Sequence, residues 1–286
     1  MKKLIHLNLK RFDVSDQFGG VNHNLNITDW GAAIVGEIDT FVNNTATENE
    51  IDFAVYFPEA HIISAKKMIS LESRLGIGCQ SVYRQDVSPG GNFGAFTSHR
   101  PASAMRQLGV THTIIGHYEE RLDKIELLAK AEVRDFSSVN EILNQEIKMA
   151  QQQEMKVLYC IGESLEQKSH WKDVLYEQLT IGLKGVELEG IAIAYEPIWA
   201  IGPGKIPPTG EQIKEIADYV KTILPDTPLL YGGGLKKENA KEIASIDSLD
   251  GGLIALTRFS GDIGFYSEEF KEIVEEYIGI KNEVVV

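Results

Sequence analysis

Residues 191–204 read IAIAYEPIWAIGPG. The run from Ile191 to Tyr195 is apolar, of strand length, and stops at Glu196-Pro197. Proline has no N–H to give a sheet, so the strand ends there with a carboxylate at its C-terminal tip. The glycine-punctuated residues beyond it, 200–204, read as a loop. A continuous apolar strand of this kind belongs to a parallel sheet buried on both faces.

Similar runs occur at 4–7, 53–57, 76–79, 112–115, 156–161, 228–231 and 252–255, which makes eight in all. Helical periodicity lies between them. Trp30, Ile34, Ile38 and Phe41 fall at three- or four-residue steps behind Thr28, a predicted N-cap. Val139, Ile142, Leu143, Ile147 and Ala150 repeat the pattern, with Ser138 and Glu141 spaced as a capping box. Phe270, Ile273, Val274 and Ile278 do so again. Eight alternations predict an α/β fold, a (β/α)8 barrel in one domain. A doubly wound sheet would carry a glycine-rich first turn, but the first run leads into Asn8-Leu9-Lys10-Arg11. Residues 21–26 and 43–50 are polar and read as long loops.

The chain has 286 residues and a net charge of −14, which disfavours nucleic acid and anionic membrane surfaces as partners. Hydrophobic residues at 43% and charged residues at 24% suit a globular domain. No apolar run is long enough to span a bilayer, and the stretch behind Met1-Lys2-Lys3 is too short for a signal peptide. Two cysteines, Cys79 and Cys160, make no disulfide framework, so a cytoplasmic location is expected. H-E-x-x-H and C-x-x-C are both absent, and neither a metal nor a cofactor is expected.

Barrel enzymes carry their chemistry at strand C-termini. The first run ends at Asn8 and Lys10, the fourth at Gly116-His117-Tyr118-Glu119, the sixth at Glu196 and the seventh at Gly232-Gly233-Gly234. A carboxylate, an imidazole and an ammonium in one pocket suit proton transfer beside a carbonyl. A glycine turn exposing N–H groups suits a phosphate. Each element has a bland reading as core histidine, helix-start acid, surface charge or tight turn; their joint placement at strand ends favours the functional one.

The segments Asn8-Leu9-Lys10, Ile114-Ile115-Gly116-His117-Tyr118-Glu119, Ala194-Tyr195-Glu196-Pro197-Ile198-Trp199-Ala200-Ile201-Gly202 and Tyr231-Gly232-Gly233 resemble the triosephosphate isomerase family. Gln85-Asp86-Val87-Ser88, Gly94-Ala95-Phe96-Thr97 and Cys160-Ile161-Gly162-Glu163 also fit, in the family's order over nearly the whole chain. The resemblance implies a TIM barrel with Glu196 as base, His117 as proton donor to the carbonyl, and Lys10 beside Asn8 as positive charge. It implies that Glu119 holds Lys10, that residues 200–204 form a lid, and that Gly202, Gly233, Gly234, Ala255 and Leu256 meet the phosphate. It also implies a homodimer, in which residues 85–97 reach a neighbour and Thr97 approaches its site.

Departures from the family cluster around the phosphate. Gly234 replaces a serine, Ala255 and Leu256 replace a glycine pair, and Arg258 is a candidate for compensating charge. Tyr231 would latch the lid, but its partner position is Pro207, which has no N–H; Pro203 and Pro208 stiffen the same segment. Leu9 and Tyr118 replace a tryptophan and a serine. His99 and Glu120 look like a dimer contact with its charges exchanged. Insertions are expected near 19–28 and 122–135.

The resulting expectation is an aldose–ketose isomerase working through an enediol(ate), with triosephosphate as substrate by resemblance. A tetrulose phosphate such as erythrulose phosphate is the alternative that the altered phosphate cup raises. An inactive metabolite-binding barrel is the alternative from another class; retention of Lys10, His117 and Glu196 argues against it.

Overall fold

The computed structural model describes residues 2–23, 26–133, 135, 137–202 and 204–279. Its strands are β1 (Lys3–Asn8), β2 (Ile51–Phe57), β3 (Leu75–Gln80), β4 (His112–Ile115), β5 (Lys156–Ile161), β6 (Ile191–Tyr195), β7 (Leu229–Tyr231) and β8 (Gly251–Ile254). All pair in parallel with their chain neighbours, and β1 pairs with β8, which closes a single eight-stranded barrel. Outside it lie α1 (Trp30–Asn49), α2 (Glu59–Met68), α3 (Ala102–Gln107), α4 (Tyr118–Lys130), α5 (Ser137–Gln152), α6 (Trp171–Gly182), α7 (Gly210–Ile223), α8 (Ala240–Ala244) and α9 (Ser267–Ile278).

The apolar strands are explained by two separate cores. On β2, Phe53, Val55 and Phe57 face the helices, while Ala54 and Tyr56 fill the barrel interior. On β6, Ile191, Ile193 and Tyr195 face outward, and Ala192 and Ala194 face inward. Small inward residues on some strands leave room for large ones on others. Gly76 and Gly78 of β3 show this. A Cβ at Gly78 would lie 2.4 Å from the Tyr56 ring, and one at Gly76 would lie 2.3 Å from the His112 ring.

Local chemistry departs from the sequence reading in three places. Thr28 does not cap α1; it lies in a short 3-10 turn and donates its hydroxyl hydrogen bond to Asn26. Ser138 is inside α5 rather than capping it. The Asp135 carboxylate accepts from the Ser137 N–H and from both serine hydroxyls. Residues 43–49 are not a loop but the last turns of α1. Val42, Thr45 and Ala46 are buried there, and Glu50 ends the helix at φ 54°. Tertiary burial outweighs their weak helix propensity. Residues 122–130 complete α4.

No helix among the described residues is long and apolar enough to cross a membrane. Cys79 and Cys160 are buried free thiols, and burial pushes Cys79 up to about 11.

Two histidines sit at the N-terminal end of the barrel interior. His6 Nδ1 lies 2.9 Å from the Tyr56 hydroxyl, and the His6 and His112 rings are 6.2 Å apart. Asp52, Lys2 and Lys156 rim the adjoining cavity. Burial pulls both imidazoles down, to about 3 for His6 and about 4 for His112; His112 reinforces the effect on His6, Lys156 lowers both, and Asp52 opposes. The unfolded chain therefore binds protons that the folded barrel refuses between its lowered values and about pH 6.5. Stability is expected to fall as pH drops below about 6.5, by up to about 1.4 kcal/mol per pH unit for each histidine. Urea-unfolding midpoints of the wild type and His112→Gln between pH 7.5 and 5 test this. The variant should show the shallower slope, and identical slopes would contradict the assignment.

Candidate active site

The C-terminal rim collects the side chains marked in the sequence. Asn8 ends β1, and its side-chain oxygen accepts the Lys10 N–H at 3.0 Å. This bond supports Lys10 at φ 40°, a left-handed conformation that non-glycine residues adopt rarely. Gln80, at the end of β3, donates to the Lys10 carbonyl at 2.8 Å. Sequence reading missed Gln80. Its signal was a polar residue on the inward face of an otherwise apolar run.

His117 is the N-cap of α4, and its Nδ1 accepts the Glu119 N–H at 3.3 Å. Glu119 Oε2 also approaches Nδ1, at 2.9 Å, and a nitrogen cannot accept from one and donate to the other. The backbone N–H is fixed by the helix, whereas the Glu119 side chain is 58% exposed and free to adjust. Nδ1 is therefore the acceptor and Nε2 carries the proton. That proton faces Glu196 Oε1 at 3.2 Å. Glu119 Oε1 pairs with Lys10 Nζ at 2.7 Å, so one carboxylate bridges β1 and α4. Burial alone would raise the Glu119 carboxyl, and the Lys10 ammonium beside it pulls it back down.

Glu196 is buried at the end of β6. Its Oε2 accepts the Tyr118 N–H at 3.1 Å, a backbone bond that does not require serine at 118. Gly162 allows the approach of the Glu196 main chain, since a Cβ there would fall 1.9 Å from the Glu196 carbonyl oxygen. Just beyond, Trp199 Nε1 and the Tyr195 hydroxyl both donate to Glu163, at 2.8 and 3.0 Å. They anchor the turn that leads into residues 200–202. Pro203 lies outside the described residues.

A cavity of about 190 Å³ is lined by Asn8, Lys10, His117, Glu196, Gly202, Gly233, Gly234, Ala255 and Leu256. Lys205, Lys236 and Phe259 also line it, and the sequence reading assigned none of them. Gly234 has φ 95°, which favours glycine over the family's serine. A Cβ at Gly233 would collide with the Tyr231 hydroxyl at 2.4 Å.

Three expectations are corrected. Arg258 does not turn to the cavity. Its guanidinium binds Glu269 Oε1, with Nε at 2.8 Å, and stacks on Tyr266 at 3.8 Å. The Tyr231 hydroxyl is buried and donates to the Gly233 carbonyl at 3.0 Å, so it braces the glycine turn rather than the lid. Glu120 is no exchanged dimer charge. It is held inside its own chain by the Gly116 N–H (2.6 Å), the Ser81 hydroxyl (2.5 Å) and Lys124 (3.0 Å). Glu146 joins Lys124 at 3.2 Å, and burial beside Glu120 pushes its carboxyl well up.

A closed parallel barrel with a carboxylate, an imidazole and an ammonium around one small rim cavity defines an enzyme equipped for proton transfer. The chain is an isomerase that belongs to the triosephosphate isomerase family, whose sequence model matches residues 21–276. It is 33% identical over 234 residues to the triosephosphate isomerase of Francisella tularensis subsp. mediasiatica, covering 77% of this chain and 82% of that one. It is 29% identical to that of Alkaliphilus metalliredigens, over 80% of this chain and 91% of the relative. The crystal structure of triosephosphate isomerase from Bartonella henselae superposes with a TM-score of 0.70 at 22% identity, covering 97% and 99% of the two chains, a likeness of fold.

Glu196→Asp withdraws the carboxylate by about one methylene from His117 and Tyr118. Turnover of triosephosphate is expected to fall on the order of 10²-fold or more. Steady-state rates for the variant check this, and activity within a few-fold of wild type would remove Glu196 from the reaction.

Proposed function

We propose that this barrel interconverts dihydroxyacetone phosphate and glyceraldehyde 3-phosphate. The observation that carries the reading is the Glu196–His117 pair, with Lys10 at the same cavity. Glu196 takes the proton from the carbon beside the carbonyl, and the C–H electron pair becomes the enediolate double bond. His117 Nε2–H supplies a proton to the oxygen, and Lys10 offsets the developing charge. Glu196 returns its proton to the neighbouring carbon, and His117 recovers one from the hydroxyl that becomes the new carbonyl, so both side chains end as they began and no metal or cofactor is required. The phosphate lies against the Gly232–Gly234 turn, Ala255 and Leu256. The two buried thiols suit a reducing cytoplasm, and the reaction fits glycolysis and gluconeogenesis.

The tetrulose reading needed an outward phosphate met by Arg258. Engagement of Arg258 with Glu269 and Tyr266 favours the triose instead. Specificity constants on glyceraldehyde 3-phosphate and erythrulose phosphate test the assignment. The triose should be preferred, and Arg258→Ala should leave its KM within about twofold, since no ligand contact is lost. A preference for the tetrulose overturns the reading.

The homodimer also belongs to this proposal. Phe93, at the tip of residues 85–97, is 92% exposed at φ 54°, and Thr97 is exposed on the same loop. A groove of about 700 Å³ opens beside Lys10 and His117, between Arg11, Tyr83 and Arg100. A partner's loop tip fits there, and an exposed apolar tip with no such partner is a liability. Light scattering at micromolar concentration should give a dimer; a monomer would refute it.

A further inference from the structure

We infer that Lys236 is the side chain that grips the substrate phosphate and sets affinity for it, an inference that rests on the isomerase reading above.

The charge pattern along this segment singles out Lys236. Lys237 pairs with Glu272 at 3.1 Å, and Lys241 pairs with Glu276 at 2.8 Å. Among the described residues, the Lys236 ammonium has no carboxylate partner, although the protein carries 42 acidic residues. It faces the site cavity and rests on the Phe259 ring, 3.7 Å from its centroid. An aromatic face holds an ammonium without neutralising it and leaves its other N–H groups available for an anion.

The backbone fixes where this lysine starts. The Lys236 N–H donates to Asn239 Oδ1 at 2.8 Å, and Asn239 Nδ2 donates to the Gly234 carbonyl at 3.1 Å. Together these bonds clamp residues 234–239 as one turn. Gly234 lies beside the lysine stem, where a Cβ would make an ordinary contact with Lys236 Cε at 3.8 Å. Lys236 thus brings a full charge to a turn where Gly234 carries no hydroxyl and Leu256 presents an apolar side chain. Its surroundings, Ala255, Leu256 and Phe259, are apolar on the side chain, which strengthens its attraction for a dianion. Lys205, just past residues 200–204, adds a second ammonium to the same cavity. The ligand class this chemistry recognises is a phosphate monoester dianion on a short carbon chain. Lys236 holds the part of the substrate that does not react, and a contact made equally in ground and transition states sets KM rather than kcat.

The test combines kinetics with binding of inorganic phosphate, followed by isothermal titration calorimetry on wild type, Lys236→Gln, Lys236→Arg and Lys237→Gln. Loss of one charge-assisted contact should raise KM and weaken phosphate binding about tenfold or more in Lys236→Gln. Its kcat should stay within about twofold. Lys236→Arg, which keeps the charge, should recover most of the affinity, and Lys237→Gln should match wild type. An active wild type whose phosphate affinity and KM survive Lys236→Gln overturns this inference alone. A wild type that neither binds phosphate nor turns over triosephosphate overturns the isomerase reading, and this inference with it.

Discussion

Leu4–Leu7 of β1 lie in parallel register with Gly251–Ile254 of β8, and this pairing joins the two ends of the chain's sheet. Everything at the rim depends on it. Asn8 and Lys10 follow β1, and Ala255 and Leu256 follow β8; only closure brings them to one cavity. The backbone contributes as well. Gly251 sits where a Cβ would meet the Leu4 carbonyl oxygen at 1.8 Å, so the joint admits no side chain at that position. Closure also removes both sheet edges, which an open parallel sheet would leave exposed.

The rim then solves an electrostatic problem. An acidic chain places two carboxylates, Glu119 and Glu196, against the two nitrogens of one imidazole. Lys10 ties Glu119 back, and the first turn of α4 presents an N–H to Nδ1. That arrangement keeps the proton on Nε2, on the side of the buried carboxylate. Behind it, Glu120 fixes the Gly116 N–H, with Lys124 and Ser81 shared between Glu120 and Glu146. Burial and the neighbouring Glu120 push Glu146 up, while Lys124, Ser81 and the Gly116 N–H outweigh the same burial at Glu120 and hold it down. A buried pair of this kind is stable only as a complete network.

The glycine turn beside the cavity holds its shape without a side chain at Gly234. Gly234 at φ 95° is a conformation that a serine would adopt with strain. Leu256 brings an apolar wall to the cavity. The turn keeps its shape through the Tyr231 hydroxyl and the Asn239 side chain, both bonded to glycine carbonyls.

The sequence alone determined the barrel, because each strand is buried on both faces and its apolar run is unbroken. It also placed Asn8, Lys10, His117 and Glu196 at one cavity, because each lies at a strand end or within two residues of it, where chain position fixes place in space. It did not determine helix ends. Residues 43–49 are helical only because Val42, Thr45 and Ala46 find a core to bury against. Nor could it decide which cation turns inward. Arg258 and Lys236 both follow rim strands, and their local sequences give no preference. Glu269 on α9, which opens at Ser267, draws Arg258 away, while Phe259 holds Lys236 at the cavity. Long charged side chains take their direction from partners distant in the chain, so that choice belongs to the tertiary structure.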